Sequence, residues 1–153
     1  MLKLNPKLKD FTTEELIREI NSRAKNEKAV VIENASKVYE YLIEYSLKNE
    51  EHFILLILNT KGQIKKKIEI SKGTINNCIV HPREVFYYAI KHQANAIIVA
   101  HNHPSGEPMP SREDNKITET LKEVSNLVGI KLLDHIIIGK EGYFSYSESF
   151  SIL

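Results

Sequence analysis

The chain has 153 residues, 42% hydrophobic and 27% charged, which fits one domain with a sizeable core and excludes a disordered or fibrous protein. Twenty-one Lys and Arg against 20 Asp and Glu leave a net charge of +1, so no global field draws the chain to nucleic acid. The apolar runs are too short to span a bilayer, the N-terminus "MLKLNPKLKDF" has no apolar signal core, and the one cysteine, Cys78, excludes a disulfide framework or a multi-cysteine metal site. These features predict a cytoplasmic protein without a membrane partner.

Thr12 to Glu15 reads as a capping box opening a polar helix, with Leu16, Ile17 and Ile20 as its apolar stripe. A second helix is expected after Asn34, with Val38, Tyr41, Leu42 and Tyr45 at helical spacing. "HFILLILN" is a continuous apolar run of strand length ending in the turn signal "NTKG". "QIKKKIEI" follows, with Ile64, Ile68 and Ile70 on one face, so a hairpin is predicted, broken after Gly73. "INNCIV" is a short extended segment, and Cys78 within it reads as a small buried hydrophobe.

Pro82 suits the first position of a helix carrying Val85, Phe86, Ala89 and Ile90, and His81 stands where it would cap that helix. "NAIIVA" is a second buried strand. Ile117, Leu121, Val124 and Val128 mark a further helix, with Gly129 as its C-terminal stop. "IKLLDHIIIG" and "YFSY" are strands joined by the turn "KEG". Strands alternating with helices, with antiparallel hairpins at both ends, predict a three-layer α/β domain with a mixed sheet. Residues 1–33 are expected as a short N-terminal helical extension and 34–153 as the main domain.

The unusual chemistry lies in "HNHPSGEPMPSRED", His101 to Asp114, at the exit of the "NAIIVA" strand. His101 and His103 have the period of an extended strand, so their side chains emerge on one side and Asn102 on the other. Two imidazoles with Asp114 make a three-ligand set that suits zinc and leaves a fourth position for water, whose pKa zinc would lower to near ~7. A plainer reading fits the same residues. Ser111 to Asp114 is also a capping box, and "HPSGEPMPS" a rigid turn feeding a helix. On spacing alone both readings stand.

The full stretch resembles the metal motif of the JAB/MPN (JAMM) metalloproteases: His-x-His, seven residues, Ser, two residues, Asp. With "HPREVFYYAI" and "LLDHIIIG" flanking it, the chain is similar to the RadC branch of that family, from about Asn34 to the C-terminus. The resemblance implies a cytidine-deaminase-like α/β fold, with His101, His103 and Asp114 as zinc ligands and Ser111 as hydroxyl donor to a tetrahedral intermediate. It also implies a glutamate on an earlier strand as general base. Glu51 is the first choice and Glu50, one register step away, the second. Glu84 is the third, since a helix dipole also explains an acid in a first turn. Fuller RadC members carry an N-terminal helix-hairpin-helix region, for which the roughly thirty residues before the match are too few, so a DNA-repair role is not expected.

His135 in "DHIIIG" reads first as a buried, hydrogen-bonded histidine, with a place beside the metal as the alternative. His52 and His92 have no evident partner. The lysines of Lys65 to Lys67 alternate in direction on one strand, so a charged edge strand explains them better than a phosphate site. The expected function is a zinc metallohydrolase cleaving a peptide, isopeptide or other amide bond in a peptide or protein substrate. A nucleobase deaminase would need His-x-Glu and Pro-Cys-x-x-Cys, which one cysteine cannot supply. A non-catalytic MPN scaffold and a DNA-associated RadC-type nuclease or accessory protein are the alternatives.

Overall fold

The computed structural model describes residues 29–73 and 80–149, together with Thr12, Glu14 and Glu15. Five strands form one sheet: β1 (Glu51–Leu58), β2 (Ile64–Gly73), β3 (Ala96–Asn102), β4 (Lys131–Ile138) and β5 (Tyr143–Ser145). Their spatial order is β2-β1-β3-β4-β5. β1 runs antiparallel to β2 and β3, β3 is parallel to β4, and β5 returns antiparallel along β4. The sheet is mixed, as the hairpins at both ends of the sequence predicted.

Helices cover both faces, which is why β1 and β3 are apolar along nearly their whole length instead of alternating. One face carries Ile54, Leu56, Leu58, Ile98, Ala100, Ile136 and Ile138, packed under α1 (Ala35–Tyr41) through Val38 and Leu42. The other carries Phe53, Leu55, Ile57, Ile97 and Val99. It packs under α2 (Pro82–Lys91) and α3 (Arg112–Val128) through Val85, Phe86, Ala89 and Leu121. Each of the fully buried Val, Leu and Ile side chains among them contributes roughly 1.5–3 kcal/mol. The three-layer α/β architecture is therefore borne out.

Several elements refine the expectation. Asn34 caps α1 by accepting from Lys37 N at 3.0 Å, but the helix ends at Tyr41 and a 3₁₀ turn spans Ile43–Leu47. Ser46 Oγ donates to the Ile43 carbonyl at 2.7 Å within that tighter turn, which keeps Tyr45 buried. On α2, Ile90 is exposed rather than core, and His81 holds the N-cap position without a side-chain capping bond. Val128 on α3 is exposed, and Gly129 closes that helix in the left-handed conformation at φ 78°.

The Thr12–Glu15 capping box forms, with Thr12 N donating to Glu15 Oε2 at 2.8 Å and Glu15 N to Thr12 Oγ1 at 3.3 Å. The expected Leu16, Ile17 and Ile20 stripe, Cys78 and nearly all of "INNCIV" lie outside the described residues. β2 is an edge strand, and Val30 to Ile32 cover its beginning by pairing with Gly62 to Ile64. Three of its lysines have protein partners, Lys72 pairing with Glu50 at 2.7 Å. Lys65 reaches the carbonyls of His92 and Gln93 just past α2, and Lys67 pairs with Glu44 at 2.9 Å over the Tyr41 and Tyr45 rings. No described helix is long and apolar enough to cross a membrane.

Candidate metal centre

β3 ends in the middle of the sheet, so its last residues emerge among packed neighbours rather than into solvent. His101 belongs to the row of Ile97 and Val99 and lies on the α2/α3 face. Its ring stacks on Phe53, with centroids 5.9 Å apart and planes at 10°. His103 follows just past the strand, its N–H donating to the Ile138 carbonyl at 3.0 Å.

The loop after it is held against the β4–β5 turn, where Lys140 N donates to the Gly106 carbonyl at 3.0 Å. Gly139 permits that approach, since a Cβ there would stand 2.5 Å from the Gly106 oxygen. The pinned loop brings Ser111 and α3 back over the histidines.

Asp114, in the first turn of α3, serves two arrangements at once. Its Oδ2 accepts from Ser111 N at 2.7 Å and Ser111 Oγ at 2.7 Å, while Ser111 Oγ accepts from Asp114 N at 3.1 Å, which completes a capping box. Its Oδ1 lies 3.0 Å from His101 Nε2, and Oδ2 lies 3.3 Å from His103 Nε2. The two imidazole Nε2 atoms are 3.0 Å apart. The capping box and the metal-ligand set, alternatives in the sequence, use the same carboxylate, and the cap holds it in place for the histidines.

Both rings are backed through their other nitrogen. His103 Nδ1 donates to the Glu107 carbonyl at 2.7 Å, so in the neutral ring the lone pair lies on Nε2. His101 Nδ1 lies 2.8 Å from His135 Nε2, and His135 Nδ1 lies 2.6 Å from Thr118 Oγ1. The donor atoms of His101, His103 and Asp114 all lie within 4.8 Å of one another, the one such group among the described residues. Two nitrogens and a carboxylate, pointed inward and backed from behind, fit a borderline-soft divalent ion with a free coordination position.

Of the three glutamates expected as base, Glu51 interacts electrostatically with all three members of this group. The register pairs Phe53 with His101, and Glu51, two residues before Phe53, lies in the same row. Glu50 is exposed and bound to Lys72 at 2.7 Å. Glu84 lies in the first turn of α2, beside an open cleft lined by Ile70, Arg83, Tyr87 and Tyr88.

Residues 32–151 match the family described as the RadC-like JAB domain. The chain belongs to this family. It is 49% identical over 119 residues to a UPF0758 protein of Chlorobium phaeovibrioides, covering 77% of this chain and 53% of that one. A UPF0758 protein of Trichlorobacter lovleyi is 53% identical over 100 residues, 65% of this chain and 44% of its own. A third, from Staphylococcus aureus, is 45% identical over 137 residues, 88% of this chain and 62% of its own. The chain spans about half the length of the first two.

Within this RadC-like JAB domain the charges at the cluster are strongly coupled. Burial opposes ionisation of Asp114, but hydrogen bonds from His101 and His103 outweigh it and hold the carboxyl far below the usual carboxylate range. Burial likewise works against protonation of His103, yet the bonds to Asp114 and the Glu107 carbonyl raise its pKa above 6.5. For Glu51 burial dominates and pushes the carboxyl up, with His101 pulling it down and Asp114 adding to the rise. Burial keeps His135, fully enclosed, as the neutral imidazole.

Three further residues bear on the RadC-like site and were not singled out, or were read otherwise, in the sequence. Asn102 is buried, and its Oδ1 accepts from His52 N at 2.8 Å while its Nδ2 donates to the Glu50 carbonyl at 2.9 Å. It thereby holds the backbone on either side of Glu51. Thr118 had a signal, since Asp114, Thr118, Leu121 and Ser125 share the buried stripe of α3 and a hydroxyl there needs a partner. His135 is a buried, hydrogen-bonded histidine and also stands directly behind His101. The first reading made for it in the sequence, a buried and hydrogen-bonded histidine, describes it.

Proposed function

We propose that this RadC-like domain is a zinc-dependent metallohydrolase acting on peptide, isopeptide or other amide bonds of a peptide or protein substrate. The observation that carries the reading is the convergence of His101 Nε2, His103 Nε2 and the Asp114 carboxylate, with a half-buried Glu51 that feels the charges of all three. These three side chains would hold the ion, whose Lewis acidity lowers the pKa of a coordinated water toward ~7.

The remaining work falls to the chain's own residues. Glu51 takes the water's proton and returns it to the leaving nitrogen, and a half-buried carboxyl with raised proton affinity suits that exchange at neutral pH. Ser111 gives its hydroxyl hydrogen to Asp114 Oδ2 while the site is at rest. Turned toward the scissile carbonyl, the same hydroxyl stabilises the developing oxyanion. Asn102 holds the start of β1, and with it Glu51, against the end of β3.

The experiment is metal analysis of chain purified without chelator, followed by a panel of peptide, isopeptide and nucleic-acid substrates. Stoichiometric zinc and cleavage of an amide, lost in Glu51→Gln, supports the proposal. Cleavage of nucleic acid alone would replace it with a DNA-associated role, and zinc without turnover on any substrate would make the domain a scaffold.

A further inference from the structure

The proposed reaction leaves one buried chain of polar groups without a task. From the ligand inward it runs His101 Nδ1 to His135 Nε2 at 2.8 Å, His135 Nδ1 to Thr118 Oγ1 at 2.6 Å, and Thr118 Oγ1 to the Asp114 carbonyl at 2.6 Å. A neutral imidazole has one donor and one acceptor nitrogen, and a carbonyl only accepts.

With the Thr118 hydrogen on the Asp114 carbonyl, Thr118 Oγ1 accepts from His135 Nδ1–H. His135 Nε2 is then bare and accepts from His101 Nδ1–H. In the neutral ring that a metal requires, the lone pair of His101 is left on Nε2, the atom 3.0 Å from Asp114 Oδ1 and 3.0 Å from His103 Nε2. Run in the opposite direction, the chain would place a hydrogen on His101 Nε2 and block ligation there.

We propose that His135, itself oriented by Thr118, is the positioning residue that fixes His101 as an Nε2 donor to the metal. The inference rests on reading His101, His103 and Asp114 as a metal centre. The packing suits the task, because the His135 ring has no freedom to turn. Tyr146 stacks on it with centroids 5.2 Å apart and planes at 16°, and Phe53 lies 5.6 Å away, touching both His135 and His101. Thr118 sits one turn beyond Asp114 on α3. The helix that supplies the carboxylate ligand therefore also anchors the histidine behind the first imidazole. His103 gets its orientation from a loop carbonyl instead, so the two imidazoles are set by separate parts of the fold.

The test measures zinc affinity of the whole chain by competition with a chromophoric chelator, with melting of each metal-free variant as the control for folding. Thr118→Val keeps the shape of the side chain and removes the hydroxyl, and His135→Leu removes both ring nitrogens. Each is expected to weaken zinc binding by ~10- to 100-fold, the usual effect of losing a partner behind a ligand. Thr118→Ser restores the hydroxyl. His135→Gln offers an amide oxygen to His101 and an amide N–H to Thr118, and both variants should bind close to wild type. The imidazole ¹⁵N signals of zinc-loaded wild type should show His101 protonated at Nδ1 and bound through Nε2.

A folded Thr118→Val chain with wild-type affinity overturns the inference, and it carries the test if His135→Leu does not fold. So does a folded His135→Gln chain as weak as His135→Leu, or a zinc-loaded His101 bound through Nδ1. A wild-type chain that takes up no zinc would overturn the metal-centre reading itself, an outcome distinguishable from the others.

Discussion

Two buried histidines lie at the same end of the sheet on opposite faces, and they differ in what surrounds them. His52, near the start of β1, belongs to the row of Ile54 and Leu56. Its ring has one polar side-chain partner, Glu69 at 2.8 Å, and an edge contact with Tyr45. His101, at the end of β3, belongs to the row of Ile97 and Val99, and it meets Asp114, His103 and His135 at 2.8–3.0 Å. Burial is the same in kind for both, so burial does not mark a ligand. Convergence does: at His101, donor atoms from a strand, a loop and a helix point at one place, and each ring is backed through its other nitrogen. Asn102 joins the two faces, holding the backbone of His52 and of Glu50 with one carboxamide.

Changes on the metal face should act on chemistry, and changes on the His52 face on stability alone. The largest effect is expected from Glu51→Gln, which keeps the shape and removes the base. Hydrolysis of any validated amide substrate should fall by ~10²-fold or more with zinc content unchanged, and loss of zinc would instead make Glu51 a ligand. Ser111→Asp is a competent N-cap that sets a negative charge beside Asp114 and the developing oxyanion. It should be nearly inactive, whereas Ser111→Ala should lose ~10²-fold in rate along with about 1 kcal/mol of stability. Wild-type turnover in Ser111→Asp with zinc intact would leave Ser111 as a cap only.

Asn102→Ala leaves the buried His52 N–H and the half-buried Glu50 carbonyl without this partner and should cost about 2 kcal/mol, read by denaturant unfolding. It should also lower turnover more than zinc content, since Glu51 lies between those groups. His52→Gln should cost about 1 kcal/mol and change neither zinc content nor rate. An effect of His52→Gln on metal binding would erase the distinction between the faces.

The pH dependence has a definite sign. In the metal-free chain His103 holds its proton above 6.5 through Asp114, so that pair stabilises the fold fully below about pH 6.5 and is lost as pH rises through the raised value. Zinc needs the bare imidazole, so its affinity rises over the same range. Melting curves with and without zinc should therefore diverge as pH increases from 6 to 8.

The part of this arrangement legible in the sequence is the local part. His-x-His at a strand exit and Ser-x-x-Asp at a helix start are spacings within one short segment, and the alternation that puts His101 and His103 on one side follows from strand geometry. What was not legible depends on partners far apart in the chain. Asn102 binds residues fifty positions away, and His135 meets His101 across the parallel β3–β4 pair and Thr118 across the layer. The choice between Glu51 and Glu50 depends on the β1–β3 register, since one residue of slip would exchange the faces they point to. The exposed Ile90 and the 3₁₀ turn after Tyr41 show the same limit, because apolar spacing alone does not say where a covering helix runs out of core.

The central claim is that His101, His103 and Asp114 form a metal centre, and metal content tests it most directly. Wild-type chain, purified without chelator and measured by elemental analysis beside His103→Ala, should carry about one zinc per chain. His103→Ala should fall to background while remaining folded. Wild type without any divalent metal, or His103→Ala with as much as wild type, would contradict the account.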